Sequence, residues 1–185
     1  ARFGDLDNDG DVDLHVTNGM IAAETFHYLA NAEIVEPNIA FTNRGDGSFG
    51  IADWGLGATG SGRGSVLVDL DLDGRLDVVV NNLDSPAVAF ENRLCGGGSI
   101  TVSLRQPGTG NTHAIGATVT LVDGDHRSVR TLRSGGGYLS GSPSTLHIGV
   151  RSDAAPDRIE IRRPDGSVSV VEHPDPGLHY EVTRP

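Results

Sequence analysis

The chain has no lysine; all 14 of its basic residues are arginine, set against 25 acids, for a formal net charge of −11. A duplex-binding surface neutralises phosphates with clustered Lys and Arg, so this balance excludes a nucleic-acid binder. It also argues against docking on anionic lipid. There is one cysteine, Cys95, so no internal disulfide framework and no Cys-rich metal knuckle can form. Aromatics make up 5% of the chain. No apolar run reaches the roughly 18 residues that a membrane helix needs, so no membrane span is expected. No H-E-x-x-H pattern and no nucleophile elbow occurs, although Ser140, Ser142 and Ser144 lie near His147.

What is present is glycine, 26 of 185 residues, with 37% hydrophobic residues in regular patterns. That combination favours short strands joined by tight turns over disorder. The charge is asymmetric: residues 1–93 carry 16 acids and five arginines, and residues 94–185 nine of each. The reading is a first unit at 1–93, a Gly-rich joint at 94–98 and a second unit at 99–185. The chain opens inside a motif, at Ala1-Arg2-Phe3, and so reads as a piece of a longer or processed protein.

The first unit repeats itself. Asp5-Leu6-Asp7-Asn8-Asp9-Gly10-Asp11-Val12-Asp13 and Asp69-Leu70-Asp71-Leu72-Asp73-Gly74-Arg75-Leu76-Asp77 share the form D-x-D-x-D-G-x-x-D at an offset of 64 residues. Alternate carboxylates converge when such a loop wraps an ion. Glycine at position six permits the bend, and position seven offers its carbonyl. The expected ligands are Asp5, Asp7, Asp9 and Asp13 with the Asp11 carbonyl, and Asp69, Asp71, Asp73 and Asp77 with the Arg75 carbonyl. All-oxygen sets on flexible loops select Ca²⁺, so two calcium sites are expected. Position twelve is Val16 or Val80 where an EF-hand has its bidentate Glu, and the flanks read as strands. Four carboxylates in nine residues repel one another without a cation, which makes the metal structural.

Ile39 to Phe49 reads as strand, turn, strand, and 86–92 resembles its first half. Residues 21–33 read as a short helix inserted between the repeats. In the second unit Ile100, Val102 and Leu104 alternate, Asp123-Gly124 marks a turn, and Ile159 and Ile161 are set to face Val168 and Val170 across Pro164-Asp165-Gly166-Ser167. The fold class is all-β: a partial β-propeller of about two blades, then a small antiparallel β-sandwich or barrel.

The two acidic loops, with Asn43-Arg44-Gly45-Asp46-Gly47-Ser48-Phe49, resemble the FG-GAP/VCBS repeats of calcium-binding propellers. The second unit resembles the ASPIC/UnbV domain of the cartilage acidic protein-like family. The matching stretches are Ala114–Val119, Arg133–Ser140, Leu146–Gly149 and Asp157–Gly166. The resemblance implies a secreted, periplasmic or cell-surface protein, with bacterial relatives. It implies binding or structural work on protein or glycan partners and no defined activity. Propellers close with 4–8 blades, so two blades imply missing N-terminal blades or a larger assembly that covers the edges. Two other functions compete with this one: a cyclase or hydrolase acting on a natural product or glycan, its site at or beyond the edge of the chain, and an accessory subunit docking through open blades. Arg44-Gly45-Asp46 reads as a turn, Gly57–Ser65 lacks the lysine of a phosphate loop, and Asp123/Asp125 read as a plain hairpin.

Overall fold

The computed structural model describes residues 1–19, 36–138, 140–151 and 156–184, and the helix expected over 21–33 lies outside them. The described residues are all-β, in 18 strands. β1 (Arg2–Gly4), β2 (Asp13–Val16), β4 (Ile39–Asn43) and β5 (Phe49–Ala52) form one antiparallel sheet in chain order; β3 (Glu36–Pro37) pairs with β6 (Thr59–Gly60). A second sheet is β7 (Gly62–Val68), β8 (Asp77–Asn82) and β9 (Val88–Phe90). Each acidic loop is the hairpin connection of its sheet, between β1 and β2 and between β7 and β8.

The two sheets are copies. Phe3, Leu14 and Val16 recur 64 residues on as Leu67, Val78 and Val80, and Ile39 and Phe41 recur 49 residues on as Val88 and Phe90. In the second sheet this apolar face is closed. Val78 and Val80 are buried in a cluster with Leu6 and Leu76, against which Trp54, Leu56, Leu67 and Phe90 pack. In the first sheet the register sets Phe3 opposite Leu14, Leu14 opposite Phe41 and Phe41 opposite Ile51, one apolar row across four strands. Its ends are bare: Phe3 is 64% exposed and Ile51 78%. Neither sheet closes on itself.

The second unit is a sandwich. β10 (Gly98–Arg105) lies between β15 (Thr145–Val150) and β18 (His179–Thr183), while β11 (Thr118–Asp123) and β16 (Arg158–Arg162) lie between β12 (His126–Thr131) and β17 (Val168–Glu172). Alternate residues of both sheets meet in one buried core, with Ile100, Val102, Leu104 and Ile148 on one side and Val119, Leu121, Ile159 and Ile161 on the other. Two details depart from the sequence reading. β18 runs parallel to β10, because the last strand returns along the free edge of a strand already paired to β15. The β16–β17 register sets Ile159 opposite Val171 and Ile161 opposite Ser169, so Val168 and Val170 sit on the outer face, half-exposed. A shift of one residue in register exchanges the two faces of a strand. A short hairpin, β13 (Gly135–Gly137) and β14 (Ser140–Gly141), reaches back to the first unit, where Arg2 donates to the Gly141 carbonyl (2.8 Å) and to Ser65 O (2.7 Å).

Candidate metal centres

Both acidic loops take one backbone shape. Position six is a left-handed glycine in each, Gly10 (φ 94°) and Gly74 (φ 86°). Position four is left-handed as well, Asn8 (φ 57°) and Leu72 (φ 64°). Leucine is costly there, because its Cβ crowds the following carbonyl oxygen. The loop geometry therefore overrides local preference in the second copy.

The same hydrogen bonds recur in both. The position-two amides of Leu6 and Leu70 donate to Oδ2 of Asp13 (2.8 Å) and Asp77 (2.9 Å). The Gly10 and Gly74 amides donate to Oδ2 of Asp5 (3.0 Å) and Asp69 (2.9 Å). The position-seven amides of Asp11 and Arg75 each donate to the carboxylate two residues back, on Asp9 and Asp73, at 2.9 Å. A second element closes each loop: the amides of Asn43 and Asn92 donate to Oδ1 of Asp13 (3.0 Å) and Asp77 (2.8 Å). Their side-chain amides donate to Val12 O (3.1 Å) and Leu76 O (3.0 Å). Sequence reasoning did not single out these asparagines, although Ile39-Ala40-Phe41-Thr42-Asn43 and Val88-Ala89-Phe90-Glu91-Asn92 carry the signal.

The folding brings together Asp5, Asp7 and Asp13 in the first loop and Asp69, Asp71 and Asp77 in the second. In each triad one oxygen per residue lies within 4.8 Å of the others. Asp9 stands outside the first triad but adds its charge to all three members. Asp73 stands outside the second, its carboxylate paired with the Arg75 guanidinium. Asp11 and Arg75 hold position seven, where a carbonyl is the expected donor.

The two sites differ in burial. Asp5 is 1% exposed, and its Oδ1, like Asp7 Oδ1, is buried without a partner among the described residues. Burial pushes the Asp5 carboxyl up to about 7 and Asp7 up to about 6; neighbouring aspartates add to both, and Arg130 pulls Asp5 back. Burial also raises Asp13. Three converging carboxylates, two of them with an orphaned buried oxygen, fit a hard cation, and nothing else in the loop balances their charge. In the second loop Asp71 is exposed and Asp69 half-buried.

Both loops meet the second unit. Gly149 N donates to Asp5 Oδ2 (3.1 Å), Ser128 Oγ donates to Gly10 O (2.7 Å), and Arg130 lies 3.5 Å from Asp5 Oδ2. His147 Nε2 donates to Gly74 O (3.0 Å), as does the Asn8 side chain (3.1 Å). Beside the second loop a cleft of about 990 Å³ is lined by Asp69, Asp73, Arg130, Arg133 and His147.

Residues 5–80 match the family model for the FG-GAP-like repeat, and residues 107–185 match that for ASPIC and UnbV. No curated protein matches the chain. With a repeated acidic hairpin in one match and a β-sandwich in the other, the chain is an FG-GAP-like repeat segment joined to an ASPIC/UnbV domain.

Proposed function

We propose that the chain is a calcium-stabilised, extracytoplasmic binding or structural module with one Ca²⁺ in each acidic loop, acting on protein or glycan partners. The two domain types suggest an extracellular-type binding or structural module, and no helix among the described residues is long and apolar enough to cross a membrane. The observation that carries the reading is the duplicated carboxylate triad with its two orphaned buried oxygens, Asp5 Oδ1 and Asp7 Oδ1. When bound, calcium would offset most of the charge of each triad: Asp5, Asp7 and Asp13 in one, Asp69, Asp71 and Asp77 in the other, with Asp9, Asp73 and the Asp11 and Arg75 carbonyls as further donors. Calcium titration calorimetry on stripped protein tests this. Two bound ions support it; none, or retention of zinc in place of calcium, overturns it.

The enzyme reading finds less support in the cleft. Asp73 is paired with Arg75, and His147 donates its Nε2 proton to Gly74 O.

The apolar row on the first sheet, bare at both ends, favours a second, compatible role as a subunit of a larger assembly. Its counterpart in the second sheet is covered by the first repeat, through Leu6, Trp54 and Leu56. The occupant this face fits is therefore another repeat of the same kind, presenting an apolar residue at loop position two. Charged substitution at Ile51 should abolish any such association while leaving the melting temperature unchanged. An unchanged association would remove this reading.

A further inference from the structure

The Asp5 carboxylate divides its oxygens between two tasks. Oδ2 accepts from Gly10 N within its own loop and from Gly149 N of the ASPIC/UnbV domain. Oδ1 has no partner among the described residues, in a side chain that solvent does not reach. One carboxylate thus joins the cation pocket to the neighbouring domain.

The neighbouring domain is shaped for this contact. A Cβ at Gly149 would overlap Asp5 Oδ2 and come within 2.7 Å of the Asn8 Cα. A Cβ at Gly96 would overlap the Asp7 carbonyl, and one at Gly97 would lie 2.6 Å from the Asn8 carbonyl. Only glycine admits the loop at these three points. The Gly10 carbonyl, at the bend of the loop, accepts from Ser128 Oγ (2.7 Å) and Arg130 (3.3 Å) on β12. Asn8 fixes the loop to the joint by donating to Gly97 O (3.3 Å). Three separate segments of chain, the joint, β12 and the end of β15, therefore close over one acidic loop.

We propose that the first cation site is completed by the ASPIC/UnbV domain, so that Ca²⁺ binding in the first loop and docking of that domain are coupled. The second loop, more exposed, binds its ion with less help. The proposal rests on the calcium reading above. The physical cause is shared geometry. The Gly149 amide and the Ser128 hydroxyl hold Asp5 and Gly10 where Oδ1 can face the ion; the ion in turn fixes Asp5 against Gly149. Coupling of this kind is reciprocal: whatever docking contributes to ion affinity, the ion contributes to docking. Gly149 and Ser128 are positioning residues, since neither touches the ion.

The test uses the whole chain and calcium chloride, with calorimetry and hydrogen exchange read together. Calcium should slow exchange in residues 5–13 and also in 126–130 and 147–150, while 168–172 on the far strand stays unchanged. Gly149→Ala should weaken one of two calcium sites about tenfold and leave the other at its original affinity. A general loss of structure would weaken both. If Gly149→Ala does not fold, Ser128→Ala replaces it, with Ser128→Thr keeping the hydroxyl and restoring affinity. Protection confined to 5–13, or two unaltered sites in the variants, overturns the coupling and leaves the calcium reading standing. Absence of any calcium binding overturns both.

Discussion

Asp5 concentrates the electrostatic problem of the fold in one side chain. A buried carboxylate whose Oδ1 has no partner among the described residues carries a desolvation cost that Arg130, 3.5 Å from Oδ2, offsets only in part and that protonation or a bound cation would remove. Asp5→Asn should therefore lower stability in millimolar calcium by roughly 1–3 kcal/mol, the cost of leaving a charged partner unsatisfied. The loss should shrink in chelator, where no ion is held. Asp84→Asn makes the control: Asp84 is exposed and left-handed (φ 54°), a conformation asparagine accepts, so the change should stay within about ±0.5 kcal/mol. Thermal melts in both conditions give the four values. A pH dependence follows from the same residues. Asp5 and Asp7 are raised above the unfolded carboxylate value, so between about pH 4 and 7 the folded state binds protons that the unfolded state releases. Stability of the calcium-free protein should fall as pH rises through that window. His15, buried and lowered to about 4, acts the other way below its unfolded value, but it is one group against the raised carboxylates of the loop. Melts of stripped protein at pH 5, 6 and 7 should show the decline, and saturating calcium should flatten it.

At the scale of elements, repetition made the first unit legible. D-x-D-x-D-G-x-x-D fixes where a hairpin bends and which side chains turn inward, because glycine at position six and alternating carboxylates have few other arrangements. The sandwich core was legible for the same reason: alternation at Ile100, Val102 and Leu104 needs only one buried face. Register was less so. Five residues, Arg163–Ser167, link Arg162 to its partner Val168, and this spacing turns Val168 and Val170 outward. The sequence shows two alternating runs but not which residues oppose one another. The parallel β10–β18 pair depends on a contact between strands some 75 residues apart, beyond any local pattern. Within the candidate sites, four carboxylates were expected in each loop and three of each set converge, whereas the closing asparagines and the clasp of Gly149 and Ser128 were not foreseen; these depend on tertiary approach. Equivalent positions also need not be equivalent in energy. Leu6 is 2% exposed and Leu70, its counterpart in the second repeat, 57%. Leu6→Ala should cost about 2–5 kcal/mol, and Leu70→Ala within about ±0.5 kcal/mol, in urea denaturation.

At the scale of the molecule, the first repeat covers the second, and this relation has a direction. The surface that covers, around Leu6, differs from the surface that is covered, around Val78 and Phe90. The chain therefore has a receiving face bare at Phe3 and Ile51, with Phe41 half-buried between them, and, at the opposite end of the pair, a bare covering side at Leu70. Unlike ends do not pair off and stop. A contact made between them leaves the same two ends free on the product, so growth continues until the rotation per step closes a ring or fails to and draws out a filament. Mutual repulsion at a net charge of −11 opposes that growth in dilute buffer, and added salt screens it. Light scattering of the isolated chain should therefore rise with protein concentration more steeply at high salt than at low. Ile51→Lys, by blocking the receiving end of every copy, should abolish that rise; unchanged scattering in the variant would count against polar addition. A repeat that stacks in one direction is, in polymer terms, a monomer with a head and a tail, and what such a molecule needs most is a terminator.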